Sequence, residues 1–402
     1  MNFQKYDDIF NKNNYPIFNH NNENIDIDDD GACLCLSGQK YKDCCKKEIE
    51  CALQRANTES DIEELRKIYY QKDKKMLSRK INHKAVQKKR ISYCSAEKVF
   101  GNCNQNNNVH SHTMSKSKVL KELSGNDKGV IAFNDHTVQD PNNILNNINS
   151  YYEDLEIKEA SVTVSFCKTH DDQLFMDIEN GSSYDNTDIQ NLEYALKAIT
   201  FDLYYKIQNI QYLASLVKTT KKVFSLYNGQ KSNLIEHYYN FVHELFELYP
   251  IMITILEELK DLKEKGNKPK LETICFDLPC KKVNFSCCEV IPKNNTYYFV
   301  NVINGPNPVM IYSYYNDKTS GWLHKMKKEF DSASNKRNYL YDFILSEIIT
   351  NAQNIFFNKV AFQNLSDDLK IYLYVIHREG TFNIPDDKHM LYYKNMIGFL
   401  FD

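Results

Sequence analysis

With 402 residues, 42% of them hydrophobic, the chain is long enough for about two or three domains with sizeable cores. A net charge of −3 removes any overall electrostatic case for nucleic acid or membrane binding, and no apolar run reaches the ~20 residues of a membrane span. The start, MNFQKYDDIF, lacks the apolar core of a signal peptide, so a cytoplasmic chain with no membrane partner is expected, and its twelve cysteines then point to metal ligation or buried thiols rather than disulfides.

Residues 1–30, rich in Asn and Asp, read as a weakly structured lead-in. Residues 31–47, GACLCLSGQKYKDCCKK, place Cys33, Cys35, Cys44 and Cys45 in two close pairs joined by a short polar loop. Four thiolates so arranged suit a tetrahedral Zn2+ knuckle. Residues 48–90 form an expected helical basic arm, with Ser60 as N-cap and Glu63 at the capping-box position. From Arg66 to Leu120, fourteen Lys and Arg residues stand against two acids, Asp73 and Glu97, an excess of +12. That is the footprint of a DNA or RNA partner, or of a solvated basic helix face.

Residues 91–185 hold a second cluster. Cys94 and Cys103 flank a polar loop, His110 and His112 follow, and Ser115 is placed to cap a helix through Leu123. Cys167 and His170 fall at i and i+3 on the first turn of another helix. A knuckle pair, a hairpin and a ligand pair on a helix start make a treble-clef layout, and Cys94, Cys103, Cys167 and His170 would close a structural Cys3His Zn2+ site. The long gap inside the set is tolerable because loop-closure entropy grows slowly with length.

Residues 186–265 read as helical. Leu192, Ala195, Leu196, Ile199, Leu203 and Ile207 recur at helical steps, and a second stretch, Leu234 to Lys263, is interrupted or kinked near Pro250. Residues 266–402 read as a small sheet with C-terminal helices. Within 272–315, four short β-branched and aromatic runs predict antiparallel strands, and 337–376 return to helix. Cys275, Cys280, Cys287 and Cys288 read as small buried hydrophobes rather than a third metal site. The fold class is therefore α+β and multidomain: a zinc knuckle, a treble-clef-like zinc domain, a helical region and a small antiparallel sheet.

The run CLCLSGQKYKDCC at 33–45 resembles the SEC-C zinc motif, best known at the tail of the SecA translocase motor, with Leu36 where that motif usually has Gly. The resemblance implies a zinc-held docking surface for a protein or ribosome partner and no enzyme activity of its own. SHTMSKS (111–117) and FCKTHDDQLF (166–175) resemble segments of uncharacterised bacterial proteins with HNH-like (His-Me finger) zinc domains, and residues 355–373 resemble their C-terminal segment. That resemblance brings no established activity with it; a non-catalytic zinc scaffold fits the same residues, and a metal-dependent nuclease is implied only by carrying the roles of His-Me nucleases over by position. His112, or the neighbouring His110, would be the general base that activates water, and Asp171 would ligate a catalytic Mg2+ or Mn2+. The interval from His112 to Cys167 is longer than in compact HNH nucleases, and no Asn that would orient the base is identifiable. Asp171 equally suits the helix dipole, and His112 equally suits a hydrogen bond within the knuckle. Two functions remain open: a nucleic-acid-associated zinc protein with His-Me nuclease activity, and a non-enzymatic zinc adaptor that docks through its SEC-C motif. The chain has no Gly-rich phosphate loop, Ser-His-Asp order or dinucleotide fingerprint.

Overall fold

The computed structural model describes residues 29–30, 33, 39–47, 94–101, 103, 109–134, 147–180, 183–220, 224–227, 230–293, 296–315, 321–379, 392 and 395–401. Most of the lead-in, Cys35 and the helices expected within 48–90 lie outside the described residues. In chain order the main elements begin with β1 (Ser111–His112), β2 (Gly129–Phe133), β3 (Tyr152–Glu156), β4 (Val162–Thr163) and α1 (Lys168–Leu174). A one-turn helix, Met176–Glu179, leads to α2 (Asp188–Thr220), the hairpin β5 (Phe224–Tyr227) and β6 (Gln230–Asn233), and α3 (Leu234–Lys265). Four strands follow: β7 (Leu271–Asp277), β8 (Phe285–Lys293), β9 (Thr296–Ile303) and β10 (Val309–Tyr315). The chain then forms α4 (Gly321–Ser332), α5 (Lys336–Phe343), β11 (Ile355–Asn358) and α6 (Asp367–Glu379). The molecule is thus mixed helix and antiparallel sheet, as expected.

Helix α2 forms where the periodic apolar stripe predicts it, and Leu192, Ala195, Leu196, Ile199, Leu203 and Ile207 are all buried. It packs along α3, which runs through Pro250 without interruption; the Thr254 hydroxyl bonds the Pro250 carbonyl at 3.0 Å. The expected helical region is broken between the two helices by the β5–β6 hairpin.

Seven strands pair in the order β3-β2-β11-β8-β9-β10-β7, all antiparallel. The four runs predicted within 272–315 are β7 to β10, and three strands from elsewhere extend the sheet. Strand β11 corrects the expectation of continuous helix over 337–376: Ile355, Phe356 and Phe357 pair with β8 between two helical stretches. Strands β8 to β10 are buried along nearly their whole length rather than alternately, because both faces of the sheet are covered. Tyr298 and Tyr312 pack on Trp322 of α4 and Phe343 of α5, while Asn301, on the opposite face of β9, donates to the Tyr194 carbonyl of α2. Cys287 and Cys288 are 1% exposed in this core and behave as small apolar side chains.

Strands β2 and β3 explain the long interval between His112 and Cys167. The chain leaves β1, contributes two strands to the large sheet, and returns so that β4 pairs with β1, Ser111 opposite Thr163 and His112 opposite Val162. Asn354, just before β11, donates to the Thr113 hydroxyl at 3.0 Å and ties the hairpin to the sheet.

Candidate metal centres and the adjoining pocket

Cys94, Cys103, Cys167 and His170 converge, with one ligand atom from each lying within 4.8 Å of all the others. Local structure explains the convergence. Cys94 precedes the short helix Glu97–Phe100, and the Ser95 amide donates to the Ser165 carbonyl, which clips the knuckle to the strand leading into α1. Cys167 is the N-cap residue of α1, so His170 sits one turn on, over the same face. The His170 Nδ1 atom lies 3.2 Å from Cys94 Sγ and 3.4 Å from Cys167 Sγ. A tetrahedral ion with metal–sulfur bonds of about 2.3 Å and metal–nitrogen bonds of about 2.0 Å separates such atoms by roughly 3.5 Å. Burial pushes the Cys94 and Cys103 thiols up and the His170 imidazole down, so without an ion those two thiols keep their protons. A bound cation reverses that preference for the thiols, because it ligates thiolate. The residues present therefore fit a single metal ion.

A second group, Cys33, Cys44 and Cys45, meets the same 4.8 Å criterion. Cys44 Sγ and Cys45 Sγ stand 3.8 Å apart, about the edge length of a tetrahedral thiolate site. Around it, Lys40 and Lys42 pair with Asp30 and Lys46 pairs with Asp29, so the basic loop of the knuckle carries its own counter-charges. The two lysines hold the Asp30 carboxyl down at about 2. Among the described residues, Cys275, Cys280, Cys287 and Cys288 form no comparable group.

Beside the Cys3His cluster lies a pocket of 520 Å³ lined by residues from the hairpin, α1 and the segment after β1. His110, His112 and Asp171 all line it. The His112 Nδ1–H donates to the Ala160 carbonyl at 2.8 Å, which fixes the tautomer and leaves Nε2 with the ring's lone pair. Ser161, next to that carbonyl, sits at φ 57, and its hydroxyl accepts from the Met114 amide at 3.1 Å; this unusual backbone position holds the turn under His112. Burial lowers the His112 pKa from its ordinary value. Burial also raises that of Asp171, against the pull of Lys197 and a hydrogen bond from Ser111. One oxygen of Asp171, Oδ1, is buried without a hydrogen-bond partner among the described residues, the situation a cation would relieve. Lys116, Lys121 and Lys128 line the same pocket, which extends its cationic wall beyond the basic segment that ends at Leu120. Ser115 occupies the expected N-cap position, but its side chain makes no capping bond and the first turn is a π-helix.

The helical region braces this module. The Lys260 ammonium on α3 bonds the Val99 carbonyl of the knuckle at 2.9 Å. Lys263 bonds the Gln173 carbonyl and, at 2.8 Å, the fully buried Glu193 carboxylate of α2. Glu193 in turn accepts from the Ile178 amide at 3.0 Å, satisfying the start of the Met176–Glu179 turn. Lys197 of α2 bonds the His112 carbonyl at 2.9 Å and Glu179 at 2.8 Å.

Burial outweighs Lys263 at Glu193 and raises its carboxyl to about 7. Because the folded pKa exceeds the unfolded value of about 4.3, the contribution to stability is full below pH 4 and is lost as pH rises through 7. Relative to Glu193→Gln, wild-type protein should therefore lose melting temperature between pH 5 and pH 8. The spread is of order 3 kcal/mol at 1.36 kcal/mol per pKa unit. Parallel melting curves for the two proteins across that range would show that Glu193 titrates normally.

The structure thus brings together Cys33, Cys44 and Cys45, brings together Cys94, Cys103, Cys167 and His170, and places His112 and Asp171 on one pocket. Glu179, Lys197 and the Ala160 carbonyl escaped the sequence reading. A backbone acceptor leaves no trace in a sequence, and Lys197 lies off the apolar stripe of α2, where a lysine reads as an ordinary solvated side chain. No family model, curated protein or solved structure matches the chain.

Proposed function

We propose that this chain is a zinc-stabilised, metal-dependent phosphodiesterase acting on nucleic acid, with its chemistry in the His112–Asp171 pocket of a His-Me finger module. One observation carries the proposal: the imidazole of His112, held in one tautomer by Ala160, and the carboxylate of Asp171 line the same pocket, which Lys116, Lys121 and Lys128 also line. The antiparallel β1–β4 pair followed by α1 supports that arrangement, and the Cys94–His170 set joins the knuckle to the start of α1.

In this reading the Cys3His set and the Cys33–Cys45 knuckle hold structural Zn2+, as a soft thiolate and imidazole donor set favours. The three lysines neutralise phosphate oxygens and seat the backbone of the substrate. His112 Nε2 takes the proton from a water molecule as that water attacks phosphorus. Asp171, with its unsatisfied oxygen, is the residue that would hold Mg2+ or Mn2+, an ion that stabilises charge on the leaving oxygen when bound. The Ala160 carbonyl does what an orienting Asn would otherwise do. The SEC-C-like knuckle is then the part that docks the enzyme to a protein or ribosome.

The test is zinc-loaded full-length protein incubated with Mg2+ or Mn2+ and, separately, duplex DNA, single-stranded DNA and RNA. Metal-dependent cleavage of at least one is expected, removed by EDTA at concentrations that leave the protein folded. No cleavage of any of the three would leave the non-enzymatic zinc adaptor as the function.

A further inference from the structure

Lys197 is one of the larger fully buried side chains of the molecule, 1% exposed, on a helix that also buries the charged side chains of Glu193 and Asp202. Its ammonium stands 2.9 Å from the His112 carbonyl, 2.8 Å from Glu179 Oε1 and 3.4 Å from the Ser111 hydroxyl. It also lies 3.7 Å from the centre of the Phe175 ring, a cation–π contact that closes its fourth side. Ser111 and His112 are the two residues of β1, and Glu179 closes the one-turn helix after α1. Both His112 and Glu179 line the catalytic pocket, and the Glu179 side chain is 38% exposed there. One buried cation on α2 therefore meets the base-bearing strand and a pocket carboxylate at once.

Resting on the nuclease reading above, we infer that Lys197 is a positioning residue of the pocket, which holds Glu179 as a second carboxylate for the divalent cation and fixes the His112 strand against it. The ammonium occupies one Glu179 oxygen, so the other is left for the pocket. Such an outer contact orients a ligand without touching the ion, and its loss typically costs tenfold or more in metal affinity. The sign of the effect separates this role from simple electrostatics. Deleting a nearby positive charge, with nothing else changed, tightens cation binding; deleting a positioning group weakens it.

The experiment measures Mn2+ binding by electron paramagnetic resonance of free Mn2+, using zinc-loaded full-length wild type, Lys197→Met, Glu179→Gln and the double variant. Methionine keeps most of the lysine stem, and Glu179 left alone is solvated, so the fold is expected to hold; unchanged zinc content and a cooperative melt check this. Lys197→Met and Glu179→Gln should each weaken Mn2+ binding roughly tenfold, with the double variant no weaker than either alone. Cleavage by Lys197→Met at saturating substrate should fall in kcat with KM changed by less than about twofold, because phosphate seating belongs to other lysines. Equal or tighter Mn2+ binding by Lys197→Met, or additive losses in the double variant, overturns the positioning role alone. A wild-type protein that binds no Mn2+ overturns the metal-dependent reading together with this inference.

Discussion

His112→Ala should lower metal-dependent cleavage by about two to four orders of magnitude, the usual contribution of a positioned general base. That is roughly 3–5 kcal/mol of barrier at about 1.4 kcal/mol per factor of ten. The fold has little reason to fail. The substitution removes one hydrogen bond, to the Ala160 carbonyl, worth about 1 kcal/mol, and touches no ligand of either metal group. His112→Asn sharpens the comparison, since its amide N–H can replace the Nδ1 donor while supplying no base; the same loss is expected. The pH profile gives an independent check. A base acts only when deprotonated, so activity is present above its pKa and disappears as pH falls through it. Because burial lowers the His112 pKa, the acidic limb should have its midpoint below the ordinary histidine value of about 6.5. Cleavage unchanged in His112→Ala, or a limb centred above pH 7, would remove His112 from the mechanism. His110, which lines the same pocket, is then the residue to substitute next.

How far the sequence leads depends on the physical kind of each feature. The candidate metal ligands were legible because ligation needs thiols and imidazoles at tight spacings, and Cys94, Cys103, Cys167 and His170 converge where an ion could be held. The stripe from Leu192 to Ile207 and the β-branched runs of β7 to β10 were legible because burial imposes period on a helix and apolar composition on a covered strand. Strand β11 was not, since IFFN is too short for its periodicity to separate strand from helix, and its partners β2 and β8 lie far from it and from each other along the chain. The braces were hidden for a related reason. Glu193 and Lys197 stand four residues apart on α2, the spacing of an ordinary exposed ion pair. In the fold each turns away from the other, Glu193 to Lys263 and Lys197 to Glu179, and both are buried. Local spacing cannot reveal partners that tertiary packing supplies. The long helices, which carry no chemistry of their own in the sequence, emerge as the frame that holds the hairpin and α1 in register.

That frame sets the outcome of the second large-effect experiment, removal of a metal ligand. Cys167→Ser should reduce bound zinc from two ions per chain to one, with cleavage lost at the same time. Structural zinc supplies apparent stabilisation on the order of 10 kcal/mol in isolated zinc-finger peptides at pH 7. Here the loss should stay local. The seven-stranded sheet and the α2–α3 pair bury most of the core away from the cluster, so the main melting transition should survive while the pocket and α1 lose order. Cys167 also occupies the N-cap position of α1, without a side-chain capping bond, and donates its amide to Cys94 Sγ at 3.4 Å, so the helix start and the knuckle come apart together. Two controls make the result specific. Cys287→Ala, in the middle of the sheet, should keep both zinc ions and cost only the packing of a small buried thiol. Cys45→Ser should lose one zinc ion yet retain cleavage, because its cluster is separate from the one beside the pocket. Two zinc ions per chain in Cys167→Ser, by elemental analysis of protein purified without added metal, would show that this thiol is no ligand and that the knuckle is held to α1 by packing alone.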